Sequence, residues 1–110
     1  PDPYMAHSEI FRVLRPGGSH VFTVPFMQTE YLDHELASLK NDGSVAFHVA
    51  PQYHSDPLRP AGALVYRIFA LEMLVELAKI GFRTSMYRLR SFWHGILGSN
   101  AIVFVAQKPF

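Results

Sequence analysis

Glu9-Ile10-Phe11-Arg12-Val13-Leu14-Arg15-Pro16-Gly17-Gly18, running directly into Ser19-His20-Val21-Phe22-Thr23-Val24-Pro25, is the stretch on which the fold turns. Ahead of it, Asp2-Pro3 forms a helix opening, because aspartate caps free amides and proline is preorganised for the first turn. Ala6, Ile10, Val13 and Leu14 recur at helical spacing, with Glu9 and Arg12 on the other side. Arg15-Pro16-Gly17-Gly18 ends this helix: Pro16 disfavours continuation and the glycines allow a tight reversal. The run from His20 to Val24 is β-branched and aromatic, bounded by Gly18 and Pro25, and reads as a buried strand. The chain therefore opens as helix, tight turn, strand.

Beyond Pro25 the pattern loosens. Leu32, Leu36 and Leu39 mark one side of an expected helix over Thr29 to Lys40, broken by Asn41-Asp42-Gly43. Ser44 to Val49 reads as a short extended piece. Ala50 to Gly62 holds Pro51, Pro57 and Pro60 without any period, which predicts a loop of the kind used as a lid or binding segment. Regularity returns with Leu71, Leu74, Leu77 and Ala78 on one helix face, and Gly81 stands where a left-handed C-terminal cap belongs. Phe82 to Arg90 reads as a strand, Ser91 to Asn100 as an irregular link. The apolar run Ala101 to Ala106 suits an interior strand covered on both faces. Helix, strand, insertion, helix and two strands make an α/β pattern, one side of a larger sheet. Residues 1–110 read as a single partial domain with an insertion at about 26–66.

Composition narrows the function classes. Hydrophobic residues at 49% against 17% charged place the chain among folded rather than disordered sequences. A formal net charge of +1 gives no electrostatic footprint, so no nucleic-acid partner is expected. Arg83, Arg88 and Arg90 alternate with Tyr87 and Leu89 as the solvated face of a half-exposed strand would, a reading preferred over a phosphate site. With no cysteine there is no disulfide scaffold, thiol nucleophile or cysteine-ligated zinc, which suits a cytoplasmic protein. No apolar run approaches the ~20 residues of a spanning helix, so no membrane partner is expected. The first residue is Pro1 rather than methionine, and the polypeptide is expected to begin upstream.

The segment from Glu9 to Gly18 followed by Val21-Phe22-Thr23-Val24-Pro25 resembles a signature of class I S-adenosylmethionine-dependent methyltransferases of the type 11-like kind. There a helix carrying E-x-x-R-V-L-[KR]-P-G-G leads into the fifth strand of a Rossmann-like sheet. Pro1-Asp2-Pro3 is similar to the residues just after the fourth strand. Ile80-Gly81-Phe82 and Val103-Phe104-Val105-Ala106-Gln107-Lys108-Pro109 resemble the approach to the sixth strand and the final strand. Pro51-Gln52-Tyr53-His54-Ser55-Asp56-Pro57 is similar to an insertion in one branch of these enzymes.

The resemblance implies the C-terminal half of such a sheet, on the acceptor side of the cleft, with 26–66 as part of a lid. In that family the methyl donor binds at a glycine-rich turn after the first strand, with an acidic residue at the end of the second holding the ribose. This chain has no G-x-G. No residue is carried over as a cofactor ligand, and the chain alone is expected to be inactive and to bind no S-adenosylmethionine. The expected partners are the missing N-terminal half or a second copy in a homodimer, and an unknown small-molecule acceptor.

The candidate site residues follow from the insertion. His54 and His48 are the candidate catalytic bases, with Asp56 as a possible orienter of the base. Tyr53, Asp56 and Trp93 are the candidate acceptor-binding residues, the aromatics as walls. Beside each stands a plainer reading: His54 as a loop histidine bonded to nearby backbone, Trp93 as packing. A zinc site from His34, His48, His54 and Asp56 lacks the i, i+4 helical pairing and is not adopted, nor is the metal-dependent hydrolase it implies. The non-enzymatic alternative is a self-associating module that covers its sheet edge with another copy.

Overall fold

The computed structural model describes residues 2–110; Pro1, the first residue of the Pro1-Asp2-Pro3 resemblance, lies outside the described residues. In chain order the elements are α1 (Pro3–Val13), β1 (Ser19–Phe22), β2 (His34–Glu35), β3 (Ala37–Leu39), β4 (Val45–Phe47), β5 (Tyr53–Asp56), β6 (Arg59–Leu64), β7 (Arg67–Ile68), α2 (Glu72–Ile80), β8 (Arg83–Arg88) and β9 (Ile102–Gln107). They form two compact units, residues 25–72 and residues 2–24 with 73–110.

In the second of these, Asp2 caps α1 through its Oδ1, which accepts the Tyr4 N–H at 2.8 Å, with Pro3 at the first position. The buried side of α1 is set by His7, with Ile10, Phe11 and Leu14 half-buried, while Ala6 and Val13 are exposed. The apolar stripe is thus rotated from Ala6–Val13 toward a histidine. After α1 the chain turns through Arg15 to Gly18, and Lys108 binds this turn from the far end of the sequence. Its ammonium donates to the carbonyls of Phe11 at 2.8 Å and Leu14 at 2.9 Å, filling acceptors a helix end leaves open and placing a cation at the negative end of the dipole. Its backbone accepts from Gly17 N–H at 2.7 Å and donates to Gly18 O at 2.9 Å.

The strands of this unit lie in the order β1-β9-β8, with β9 antiparallel to both neighbours. Register aligns Phe22, Phe104 and Met86 across the sheet, and His20, Ala106 and Thr84 in the next row on the same face. Onto this face α1 lays His7, whose ring is 4.9 Å from Phe22 and 5.4 Å from His20. Phe104 and Ala106 are fully buried, as are Met73 and Leu77 of α2. On the opposite face Val21 and Tyr87 are exposed and Val103 and Val105 half-buried.

Gly81 connects α2 to β8 at φ 118°, a backbone region closed to most L-residues, and a Cβ there would stand 2.8 Å from Phe11 Cζ. The missing side chain lets Phe11 meet Phe82 edge-on at 4.9 Å. Gly81→Ala is expected to cost about 2 kcal/mol from backbone strain and the displaced ring together. The urea midpoint reads this, and adding Phe11→Leu is expected to restore only the packing share.

Residues 25–72 form three two-stranded antiparallel ladders, β2 with β7, β3 with β4 and β5 with β6, plus a parallel bridge between Phe26 and Phe69. The helix expected over Thr29 to Lys40 is absent. Leu32 and Leu39 of its apolar stripe are exposed, while Leu36 and Ala37 are buried and both donate their N–H to Tyr66 O. Long-range pairing overrides a three-leucine spacing of modest helical preference. The proline-bearing stretch expected as a loop is the β5–β6 hairpin. Prolines fit there because a two-stranded ladder consists of edges, where a missing N–H leaves no partner unsatisfied.

The α/β expectation, the C-terminal half of a Rossmann-like sheet, is overturned. The chain is a small, mostly antiparallel, β-rich fold with two helices and separate small sheets, and every ladder in it is antiparallel. The apolar run of β9 was expected between helical layers. It owes its burial instead to its central place in a three-stranded sheet and to the aromatic contacts on one face.

Candidate functional site

Tyr53, His54 and Asp56 come together on the β5–β6 hairpin. They line an open groove of about 370 Å³ with Ser55, Arg59, Pro60, Ala61 and Gly62. The hairpin is shaped for it. Its pairing runs Tyr53 to Leu64 and His54 to Ala63, then shifts so that Asp56 faces Arg59. Gly62, at φ 80°, sits across from this irregularity, where any Cβ would collide with the His54 carbonyl. At the turn, Asp56 Oδ1 accepts the Leu58 N–H at 2.9 Å, a side-chain mimic of a backbone turn, and Oδ2 lies 3.7 Å from Arg59 Nε.

Asp56 is therefore committed to the turn and to Arg59, and among the described residues it makes no hydrogen bond to His54. The His54 ring is exposed, with Nδ1 at 3.2 Å from Ser55 O, so Nε2 is the nitrogen left to face the groove's solvent. Tyr53 is exposed beside it. These groups offer an imidazole, an aromatic wall and a guanidinium. Such a set can bind and deprotonate a small hydroxyl- or amine-bearing molecule, without enclosing it.

His48 belongs to a different set of contacts. Its Nε2 is 3.1 Å from Ser38 Oγ and 3.9 Å from Glu35 Oε2, and the His48 backbone N–H donates to Leu36 O at 2.9 Å. Serine, histidine and glutamate together suggest a nucleophile triad, but serine and glutamate approach the same ring nitrogen. A triad needs the acid on the other one to hold the tautomer. Trp93 lies in the other unit, 93% exposed, and neither packs nor lines the hairpin groove. Among the described residues no group of three or more His, Asp or Glu side chains is placed to hold a metal ion.

Two features escaped the sequence. Asp33 has a side chain only 1% exposed; Oδ1 accepts the Ala70 N–H at 2.7 Å and Oδ2 lies 3.4 Å from Arg67 Nη1, while its own N–H donates to Glu72 Oε2 at 2.9 Å. The other is an imidazole pair beneath α1. His20 stacks on Phe22 at 4.4 Å beside His7, and His7 Nδ1, His20 Nε2 and Thr84 Oγ1 are buried without a hydrogen-bond partner among the described residues. Burial holds both imidazoles below the ordinary 6.5, and for His7 the neighbouring His20 adds to it.

Because the folded pKa lies below the unfolded one, the unfolded chain binds more protons once pH falls through 6.5. The stability these rings allow is complete above that value and is lost progressively toward their depressed folded values. The melting temperature is expected to fall between neutral pH and about pH 5.5. Replacing both rings, His7→Leu with His20→Leu, should flatten that slope. An unchanged slope in the double variant would assign acid sensitivity to other groups.

Compared with known proteins, the chain matches no family model, no curated protein and no solved structure.

Proposed function

We propose that the chain is the C-terminal, acceptor-side part of an S-adenosylmethionine-dependent methyltransferase, inactive alone because the glycine-rich cofactor turn is absent. One observation carries this reading: the segment Glu9 to Gly18 with Val21 to Pro25 resembles the methyltransferase signature and runs helix, tight turn, strand. The antiparallel, β-rich architecture lends it no weight, so it rests on that segment.

The residues present do not fit the cofactor itself. The glycine pair of the helix-to-strand turn is occupied by the protein: Gly17 N–H and Gly18 O are bonded to the Lys108 backbone, and Phe110 fills the space a Cβ would take at Gly17. No backbone amide there is free to cradle a ligand. What this half contributes lies on the acceptor side. His54 takes the proton from the acceptor's nucleophile, Tyr53 walls the groove, and Arg59, held by Asp56, orients an anionic or polar acceptor. A cytoplasmic setting is part of the proposal, in keeping with a chain free of cysteine.

A second reading, a non-catalytic self-associating module, is favoured by the free edge of β1. Among the described residues this strand pairs with β9 on one side only, and Val21 on it is exposed. Such edges invite pairing with another chain. Transfer from methyl-labelled S-adenosylmethionine tests the first reading. The chain alone is expected to label no acceptor, and turnover by it alone would show that it holds a complete site.

A further inference from the structure

We propose that the turn following β8 docks on an anionic lipid surface, with Phe92, Trp93 and Leu97 entering the headgroup region and Arg88 and Arg90 engaging phosphates. The turn is built to present its aromatics. Ser91 and Ile96 exchange both backbone hydrogen bonds, at 3.0 and 2.8 Å, and Gly95 N–H donates to Phe92 O at 3.1 Å. Ser91 Oγ lies 2.7 Å from His94 Nδ1. At the tip of this closed turn Phe92 is 81% and Trp93 93% exposed, and Leu97 is 64% exposed. Singly exposed apolar residues are ordinary; two adjacent aromatics and a leucine on a hydrogen-bonded turn form a patch.

Charge selects the partner. No aspartate or glutamate follows Glu76, whereas Lys79, Arg83, Arg88, Arg90 and Lys108 do. Arg88 and Arg90 are exposed and make no ion pair among the described residues. They open onto a cavity of about 230 Å³ that Leu97, Gly98 and Ser99 also line, with room for a phosphate against two guanidiniums and a hydroxyl. Tryptophan and phenylalanine at the headgroup level, aliphatic side chains deeper and arginines at the rim are the chemistry of an interfacial anchor. Leu97 has no π-face on which a base stacks, which favours lipid over nucleic acid. No described helix is long and apolar enough to cross a membrane, and lying on its surface requires none.

Trp93 is the chain's only tryptophan, so its fluorescence reports on this turn alone. With phosphatidylcholine vesicles containing phosphatidylserine, its emission is expected to shift to the blue and the protein to co-sediment; with phosphatidylcholine alone, neither. Arg88→Gln with Arg90→Gln should lower partitioning roughly 30-fold, about fivefold per charge. Phe92→Ser with Leu97→Ser should abolish it while leaving the reporter in place. All four side chains are exposed, so circular dichroism should stay unchanged. Absence of a shift with the phosphatidylserine-containing vesicles, or equal binding to both kinds, would overturn the proposal. So would preferential binding of a single-stranded oligonucleotide, or calorimetric binding of inorganic phosphate without vesicle association.

Discussion

Phe104→Ala is expected to lower the stability of the unit formed by residues 2–24 and 73–110 by about 3–5 kcal/mol, the range for emptying an aromatic site in a packed core. Phe104 is fully buried, stands in the central strand and stacks on Phe22 at 5.3 Å. Its row continues to Met86 on the other side. Truncation therefore opens a void between both sheet neighbours, which a three-stranded sheet cannot close by moving a single strand. A domain of this size has ~5–15 kcal/mol in total, so the loss is a large fraction of it. Phe104→Leu keeps most of the volume and should cost about 1–2 kcal/mol. Urea titrations followed by far-ultraviolet circular dichroism compare the two. Near-equal midpoints for Phe104→Ala and the parent chain would mean that this sheet does not depend on its central ring.

Asp33→Ala is the second large effect, and it falls on residues 25–72. The substitution strands the Ala70 N–H and removes the anion beside Arg67, whose side chain is 25% exposed. Breaking a fully buried pair costs ~3–5 kcal/mol; water reaching Arg67 reduces this to about 2–3 kcal/mol. Asp33→Asn retains an acceptor for the amide and should recover about half. Hydrogen exchange at Ala70 is the readout: fast exchange is expected in the alanine variant and intermediate protection in the asparagine variant. Unchanged protection in both would show that the β2–β7 ladder is held by other contacts.

How far the sequence carried depended on whether a signal was local. Asp2-Pro3, Gly81 and the apolar run of β9 act through their own backbone, and each element they announced is present. The buried side of α1 was misplaced because His7 reads as polar, although two aromatic rings and His20 make its burial possible. Thr29 to Lys40 and Ala50 to Gly62 failed for a different reason. The first takes its structure from pairing 34 positions away, as between His34 and Ile68; the second is a local hairpin whose β6 strand accommodates Pro60, where the prolines read as a loop. In the site, Tyr53, His54 and Asp56 are neighbours in sequence and share one groove, so their association was legible. The commitment of His48 to Ser38 and Glu35 was not, since it requires strand register, while that of Asp56 to Leu58 and Arg59 is a local turn that the roles assigned to Asp56 passed over.

The Gly17–Gly18 turn shows how one motif supports two levels of description. P-G-G carries a resemblance to the methyltransferase signature; in the fold its amide and carbonyl are bonded to Lys108, which also caps α1. The motif is thus explained locally by helix termination and sheet docking. The proposal of methyl transfer draws on the company it keeps, Glu9 before it and Val21 to Pro25 after it.

The most direct test is the solution mass of the chain by light scattering over a range of concentrations, with S-adenosylmethionine titrated calorimetrically into the same samples. A dimer that takes up no S-adenosylmethionine is the predicted result, a cofactor-less half whose free β1 edge is covered by a second copy. A monomer that binds S-adenosylmethionine would contradict it, since the chain would then hold a cofactor site that the occupied Gly17–Gly18 turn does not supply.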